Sequence, residues 1–235
     1  TSIAAGTVAY SYTLDGATNG DDTSDNFAIV VTDADGDAAN GSLVINIIDD
    51  EPTAADDTAL VAAGSFDPVS GNVFAANDQG VEDVAGADGA AVSGVALGDT
   101  GTALNNAATV GTDIQGQYGT RTIDADGSYS YARDAGTPGG VDDAFTYTLR
   151  DADGDTSTAT LIVSLGNSDV TVNLPSVEDT GTSVSEAGLP AGSDAAADSE
   201  TTTGSFSFTA EDGPAVITIN DATVAEGDSV TGTYG

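Results

Sequence analysis

The chain has 235 residues, 39 of them acidic against three arginines (Arg121, Arg133 and Arg150), and it contains no lysine, histidine, cysteine, methionine or tryptophan. A formal charge of −36 excludes nucleic acid and anionic membrane as direct partners. The missing cysteines exclude a disulfide framework and a thiolate zinc site. Self-repulsion on this scale opposes compaction, so the chain is either disordered or held together by cations. Disordered chains are poor in β-branched residues, whereas Val, Ile and Thr here come in organised runs, which favours cations. Of the acids, 32 are Asp and seven are Glu. That skew suits turns and hard-cation ligands rather than helices.

Taken from the N-terminus, helical periodicity is nearly absent, and alternating apolar and polar residues bounded by Gly, Asp and Asn dominate. Strands are expected at 7–14 (TVAYSYTL), 27–32, 41–48 (GSLVINII), 71–75, 90–97, 127–133 (GSYSYAR), 143–150 and 156–165. Further strands are expected at 169–174, 203–210 (TGSFSFTA), 215–220 and 229–234. Short strands with turn signals about every ten residues predict an all-β chain of tandem antiparallel Greek-key β-sandwiches, of the Ig or cadherin kind.

Internal repeats set the expected boundaries. FAIVVTDADGDAANGSLVINI (27–47) matches FTYTLRDADGDTSTATLIVSL (145–165), 118 positions on, and YSYTLD (10–15) matches YSYARD (129–134). GTYG (232–235) matches GQYG (116–119), and residues 117–134 align without a gap to the C-terminus read on into residue 1. The expectation is a window cut from a tandem array. Residues 1–48 would be the C-terminal half of one sandwich, 53–167 a complete one, and 169–235 the N-terminal half of the next. The last segment would be completed by 1–48 of a neighbouring copy, head to tail, because half a sandwich exposes its inner face and unpaired backbone. No signal peptide or membrane-spanning run is visible, and a first residue of Thr is expected of a fragment or a mature segment.

The acidic loops are the candidate sites. Asp33, Asp35 and Asp37 lie at i, i+2, i+4 in DADGD, as do Asp151, Asp153 and Asp155 in its second copy. One reading is a plain hairpin turn in which Asp-Gly supplies positive φ. The other is three carboxylates converging on a cation, as in the first half of an EF-hand loop; no Glu follows at the twelfth position, so the motif is not an EF-hand. DADG (124–127) is a weaker third instance. DDEPTAADD (49–57) follows a strand, and Pro52 stiffens it. Asp49, Asp50 and Glu51 on one side, with Asp56 and Asp57 on the other, could share a cation at the joint; a solvated linker is the alternative. Asp169, Glu178 and Asp179 form a thinner group beyond the second boundary. With only oxygen ligands available, Ca2+ is the natural ion; Mg2+ demands stricter geometry, and transition metals favour the missing His or Cys.

Residues 71–95 (GNVFAANDQGVEDVAGADGAAVSGV), 117–134 and 142–163 together resemble a VCBS-like repeat. SVSEAGLPAGSDAAADSETTTGSFSFTAEDG (183–213) resembles the companion repeat of type I-secreted giant adhesins of the RTX class. The resemblance implies calcium-stabilised extender modules, export by a type I system, an extracellular or cell-surface location, and a role in cell attachment or biofilm matrix. No GGxGxDxxx run is present, so the calcium β-roll of such proteins is not in this stretch. A carbohydrate-binding module is the alternative, since Tyr10 and Tyr12, like Tyr129 and Tyr131, share a strand face. An enzyme is not expected: no His, Lys or Cys can serve as base or nucleophile. Pairs such as Asp142 and Asp143 carry no information in so acidic a chain.

Overall fold

Period-two alternation produces strands and, apart from two single-turn 3-10 segments (Ala107–Thr109 and Glu186–Gly188), no helix among the described residues. The computed structural model describes residues 5–18, 20–21, 23–75, 81–179, 181–225 and 228. In chain order the strands are β1 (Thr23–Thr32), β2 (Ala38–Ile47), β3 (Asp57–Val61), β4 (Val69–Asn72) and β5 (Ala90–Leu97). There follow β6 (Ile114–Gln115), β7 (Gly119–Ile123), β8 (Ser128–Arg133), β9 (Val141–Asp151) and β10 (Thr156–Leu165). Four short ones close the series: β11 (Thr171–Asn173), β12 (Ser207–Thr209), β13 (Ile217–Ile219) and β14 (Ala222–Val224).

Two four-stranded sheets form the centre, ordered β3-β10-β9-β5 and β4-β8-β7-β6. The ladders β5–β9, β4–β8, β7–β8 and β6–β7 are antiparallel. The sheets pack face to face. Tyr131 of β8 meets Phe145 of β9 edge-on, with ring centroids 6.3 Å apart, and the Arg121 guanidinium of β7 lies 4.5 Å from the same ring centroid. Val73, Val92, Val95, Ile123, Leu149, Leu161 and Val163 fill the space around them. Burying aromatic and branched side chains of this size contributes roughly 1.5–3 kcal/mol each. This arrangement is an Ig-like β-sandwich, and the all-β expectation holds.

The chain divides into two compact units. The first comprises Thr1–Leu60, Asp67–Arg133 and Asp142–Ser164, and holds the β1–β2 hairpin together with most of both sheets. The second comprises Val61–Phe66, Asp134–Val141 and Leu165–Gly235, and holds the two-stranded sheets β11–β12 and β13–β14. Within the second unit, Asp212 accepts hydrogen bonds from the Gly64 and Ser168 amides, at 3.3 Å for Gly64.

Several strand expectations need correction. Residues 7–14 alternate well but form no ladder, and Val8 and Tyr10 stay largely exposed. A strand needs a paired neighbour, not alternation alone. Conversely, β3 hides in the acid-rich stretch 53–61, and β7 contains the polar run GTRTI. Both became strands because a neighbour in the sheet satisfies their backbone. The strand expected at 229–234 and the GTYG repeat at 232–235 lie outside the described residues.

Candidate metal centre

The loop between β9 and β10 is a tight hairpin. The Asp151 amide donates to the Asp155 carbonyl at 3.2 Å, and Asp151 Oδ1 accepts the amides of Gly154 (2.9 Å) and Asp155 (2.7 Å). Gly154 has φ +120°, a conformation that L side chains rarely adopt and glycine accepts freely. The turn reading of DADGD is therefore correct as far as the backbone goes. It leaves the second oxygen of Asp151 unassigned.

Asp151 belongs to an acidic cluster. One carboxylate oxygen from each of Asp49, Asp151, Asp153 and Asp155 converges, all four lying within 4.8 Å of one another. Asp151 is only 8% exposed. Asp49 Oδ2, Asp151 Oδ2, Asp153 Oδ1 and Asp155 Oδ2 are each buried and receive no hydrogen bond. Each loop carboxylate has a definite role. Asp151 gives Oδ1 to the turn and leaves Oδ2 without a donor, while Asp153 gives Oδ2 to the Gly20 amide (2.6 Å) and leaves Oδ1 without a donor. Asp88 Oδ2 steadies the loop by accepting the Ala152 amide at 3.2 Å.

Electrostatics follow from that crowding. Burial, then the charges of Asp21, Asp151, Glu51 and Asp153, push the Asp155 carboxyl up to about 6. Burial, then the adjacent Asp151 carboxylate, raises Asp153, although the Gly20 amide opposes the shift. Leaving several buried carboxylates without donors is costly, and a cation removes that cost. The residues fit Ca2+: all donors are oxygen, and a 4.8 Å spread is about twice a calcium–oxygen distance of ~2.4 Å.

Asp49 reaches the cluster because the linker is seated. Thr53 and Val84 exchange both backbone hydrogen bonds at 2.8 Å, and the Ala54 amide donates to Ser157 Oγ at 2.9 Å. The Asp50 carbonyl lies where a Cβ on Gly86 would be, at 2.3 Å, so only glycine fits there.

The joint group read from DDEPTAADD is therefore split. Asp49 joins the 151–155 loop, whereas Asp50 and Glu51 are exposed beside it. Asp56 and Asp57 serve the sandwich instead. Asp56 Oδ1 accepts the Thr160 amide at 2.9 Å, and fully buried Asp57 accepts the Tyr147 hydroxyl at 2.9 Å. That hydroxyl also lies 2.8 Å from Asp83 Oδ2 and 2.9 Å from the Ala55 carbonyl. The Tyr147 proton is held well above the usual phenol range by burial and by the charges of Asp57 and Asp83. Asp169, Glu178 and Asp179 are exposed and do not converge; Asp179 instead accepts the Ser176 amide at 2.7 Å.

Asp33, Asp35 and Asp37 do bring three oxygens within the same 4.8 Å, but all three residues are exposed. DADG (124–127) is a turn, closed by the Asp124 amide to the Ser128 carbonyl (2.8 Å), and Ser128 caps Asp126. Sequence reasoning missed Gly20, Asp21 and Asp88. Asp21 sits in the acidic run GDD, which nothing in the local pattern distinguishes from any other polar loop.

Residues 49–164 match a family model described as bacterial Ig domain. Over this stretch the chain is similar to that family, and its fold is an Ig-like β-sandwich. The match begins at Asp49 and ends just inside β10, so it takes in both four-stranded sheets and the whole acidic cluster except the Gly20–Asp21 contribution. No curated protein matches the chain. Bacterial Ig domains are structural modules without catalytic function and are typically extracellular or surface-exposed. Among the described residues, no helix is long and apolar enough to cross a membrane.

The Ig-like domain also decides the fate of one tyrosine pair. Tyr129 is 7% exposed and Tyr131 is fully buried, with its hydroxyl donating to Asp143 Oδ2 at 2.7 Å. Asp143 takes the Gln117 and Tyr118 amides as well, at 2.8 and 3.0 Å. These rings are core, so they offer no platform to a sugar.

Proposed function

We propose that this chain is a calcium-stabilised extender segment of a secreted bacterial adhesin or matrix fibre, resembling VCBS-like repeats of the RTX class exported by type I systems. Its work is mechanical: to hold an adhesive element away from the cell in attachment or biofilm formation. The observation that carries the reading is the set of four buried, donorless carboxylate oxygens at Asp49, Asp151, Asp153 and Asp155. Inside a chain of charge −36, such a set makes folding depend on a divalent cation. Extracellular calcium modules work at ~0.1–1 mM, so the segment would be loose in low-calcium cytosol and firm outside.

The same reading takes the partner of each copy to be the next copy in a head-to-tail array, with 169–235 completed by the equivalent of 1–48. Support comes from the repeat. Phe27, Ile29 and Val31 occupy the positions of Phe145, Tyr147 and Leu149, yet lie on an open two-stranded hairpin. Thermal unfolding of the chain in about 1 mM calcium, the upper end of the extracellular range, and then in chelator tests the calcium part. An unchanged midpoint would sink it. Analytical ultracentrifugation of one copy against two fused copies tests the array.

A further inference from the structure

The geometry points to an inter-segment clamp: a divalent cation in the Asp49/Asp151/Asp153/Asp155 site locks the Gly20–Asp21 segment, which leads into the β1–β2 hairpin, onto the β9–β10 loop of the Ig-like domain. This rests on the calcium reading above and adds to it what the ion does. Four lines on the structure meet here. First, Asp153 bridges: Oδ2 accepts the Gly20 amide at 2.6 Å, Oδ1 is buried and unpartnered, and the carboxylate is one of the four that converge. A cation on Oδ1 fixes the rotamer that presents Oδ2 to Gly20. Second, Asp151, more than nine-tenths buried, has an equally unpartnered Oδ2, and its carboxylate belongs to the same group of four. Third, Asp21 directly follows Gly20 and Glu51 lies two residues after Asp49, so each flanking stretch brings one more carboxylate up to the site. Calcium takes six to eight oxygens, so there is room for them. Fourth, Asp49 is the second residue after β2 (Ala38–Ile47), so the hairpin is tethered to the site at its far end as well.

The segment is thus held on both sides, by Gly20–Asp21 before β1 and by Asp49 after β2. Without a cation, the acids on the two sides repel, and the Gly20–Asp153 hydrogen bond is the sole direct bond holding residue 20 to the loop among the described residues. With a cation, one ion joins three stretches of chain: 20–21, 49–51 and 151–155. The clamp would convert a flexible joint into a stiff one at a set calcium concentration, and the 33–37 loop, whose three acids are exposed, would play no part.

The test uses the full chain. Calcium binding is measured by calorimetry, and amide exchange is followed by mass spectrometry with and without the ion. Calcium should slow exchange in peptides covering 16–25 and 149–157 together. Asp21→Asn should weaken calcium binding by about tenfold, as the ligand charge count falls, and should leave 16–25 exchanging as in chelator while 149–157 stays protected. Asp153→Asn should lose both effects, and Asp35→Asn neither. If calcium binds and protects 149–157 but leaves 16–25 unchanged, the clamp is wrong and the calcium site stands. If calorimetry detects no calcium binding at all, both readings fall.

Discussion

The two DADGD hairpins share a pentapeptide, a turn and even a hydrogen-bond scheme. In each, the first Asp takes the amide four residues on through its own carboxylate: Asp33 from Asp37 at 3.0 Å, Asp151 from Asp155 at 2.7 Å. Each glycine has positive φ, +101° at Gly36 and +120° at Gly154. Their surroundings differ. Around 151–155 the linker, the Gly20 amide and Asp88 close in, and burial raises the Asp153 and Asp155 carboxyls. Around 33–37 all three acids face solvent, and Asp33 is held below the usual range by hydrogen bonds, chiefly with Asp35. The strands repeat the contrast: Phe145 is fully buried and Phe27 44% exposed. Local sequence makes the turn; neighbours from far along the chain make the site.

The two hairpins should differ most in what their strands contribute to stability. Phe145→Ala should cost ~3–5 kcal/mol of unfolding free energy, measured by urea denaturation, because it empties the contact with Tyr131 and Arg121. Phe27→Ala, on the exposed hairpin, should cost about 1 kcal/mol or less. Equal losses would mean that β1 is as well packed as β9.

Next comes the ion. At ~100 times its dissociation constant, one calcium contributes about 2.7 kcal/mol, which is a midpoint shift on the order of 10 °C for a domain of this size. Asp153→Ala should abolish most of that shift, and Asp35→Ala should keep it. The reverse pattern would move the site to the wrong hairpin.

Tyr147 stands where the first hairpin has Ile29. Its hydroxyl serves Asp57, Asp83 and Ala55, so Tyr147→Phe should destabilise by ~1–3 kcal/mol. A neutral result would show that the buried acids pair without it.

The smallest expected effect is with pH. The folded-state value of Asp155, about 6, lies above that of an unfolded carboxylate, so the folded chain binds more protons in the window from about pH 4 to 6. Its contribution to stability is therefore present below the lower value and lost as pH rises through the upper one. In chelator, the wild-type midpoint should gain on acidification from pH 7 to 5 relative to Asp155→Asn. No such difference is expected from Asp37→Asn.

Much of this molecule is legible in one dimension. Alternation marks β1, β2, β5, β8, β9 and β10, because side chains on a pleated strand must face opposite sides. The repeat shows both acidic hairpins, and the lack of any nitrogen or sulfur ligand narrows the ion to a hard cation. The rest depended on which strands became neighbours. Residues 7–14 alternate as well as any strand yet pair with none, while β3 forms from an acid-rich linker because β10 takes its backbone. Asp57 looked like a ligand and is a buried partner of Tyr147. Asp49 looked like half of a linker site and belongs with a loop about a hundred residues on. A metal site is a convergence of oxygens within a few ångströms; periodicity tells which way a residue faces, and only the packed sheets decide what it meets.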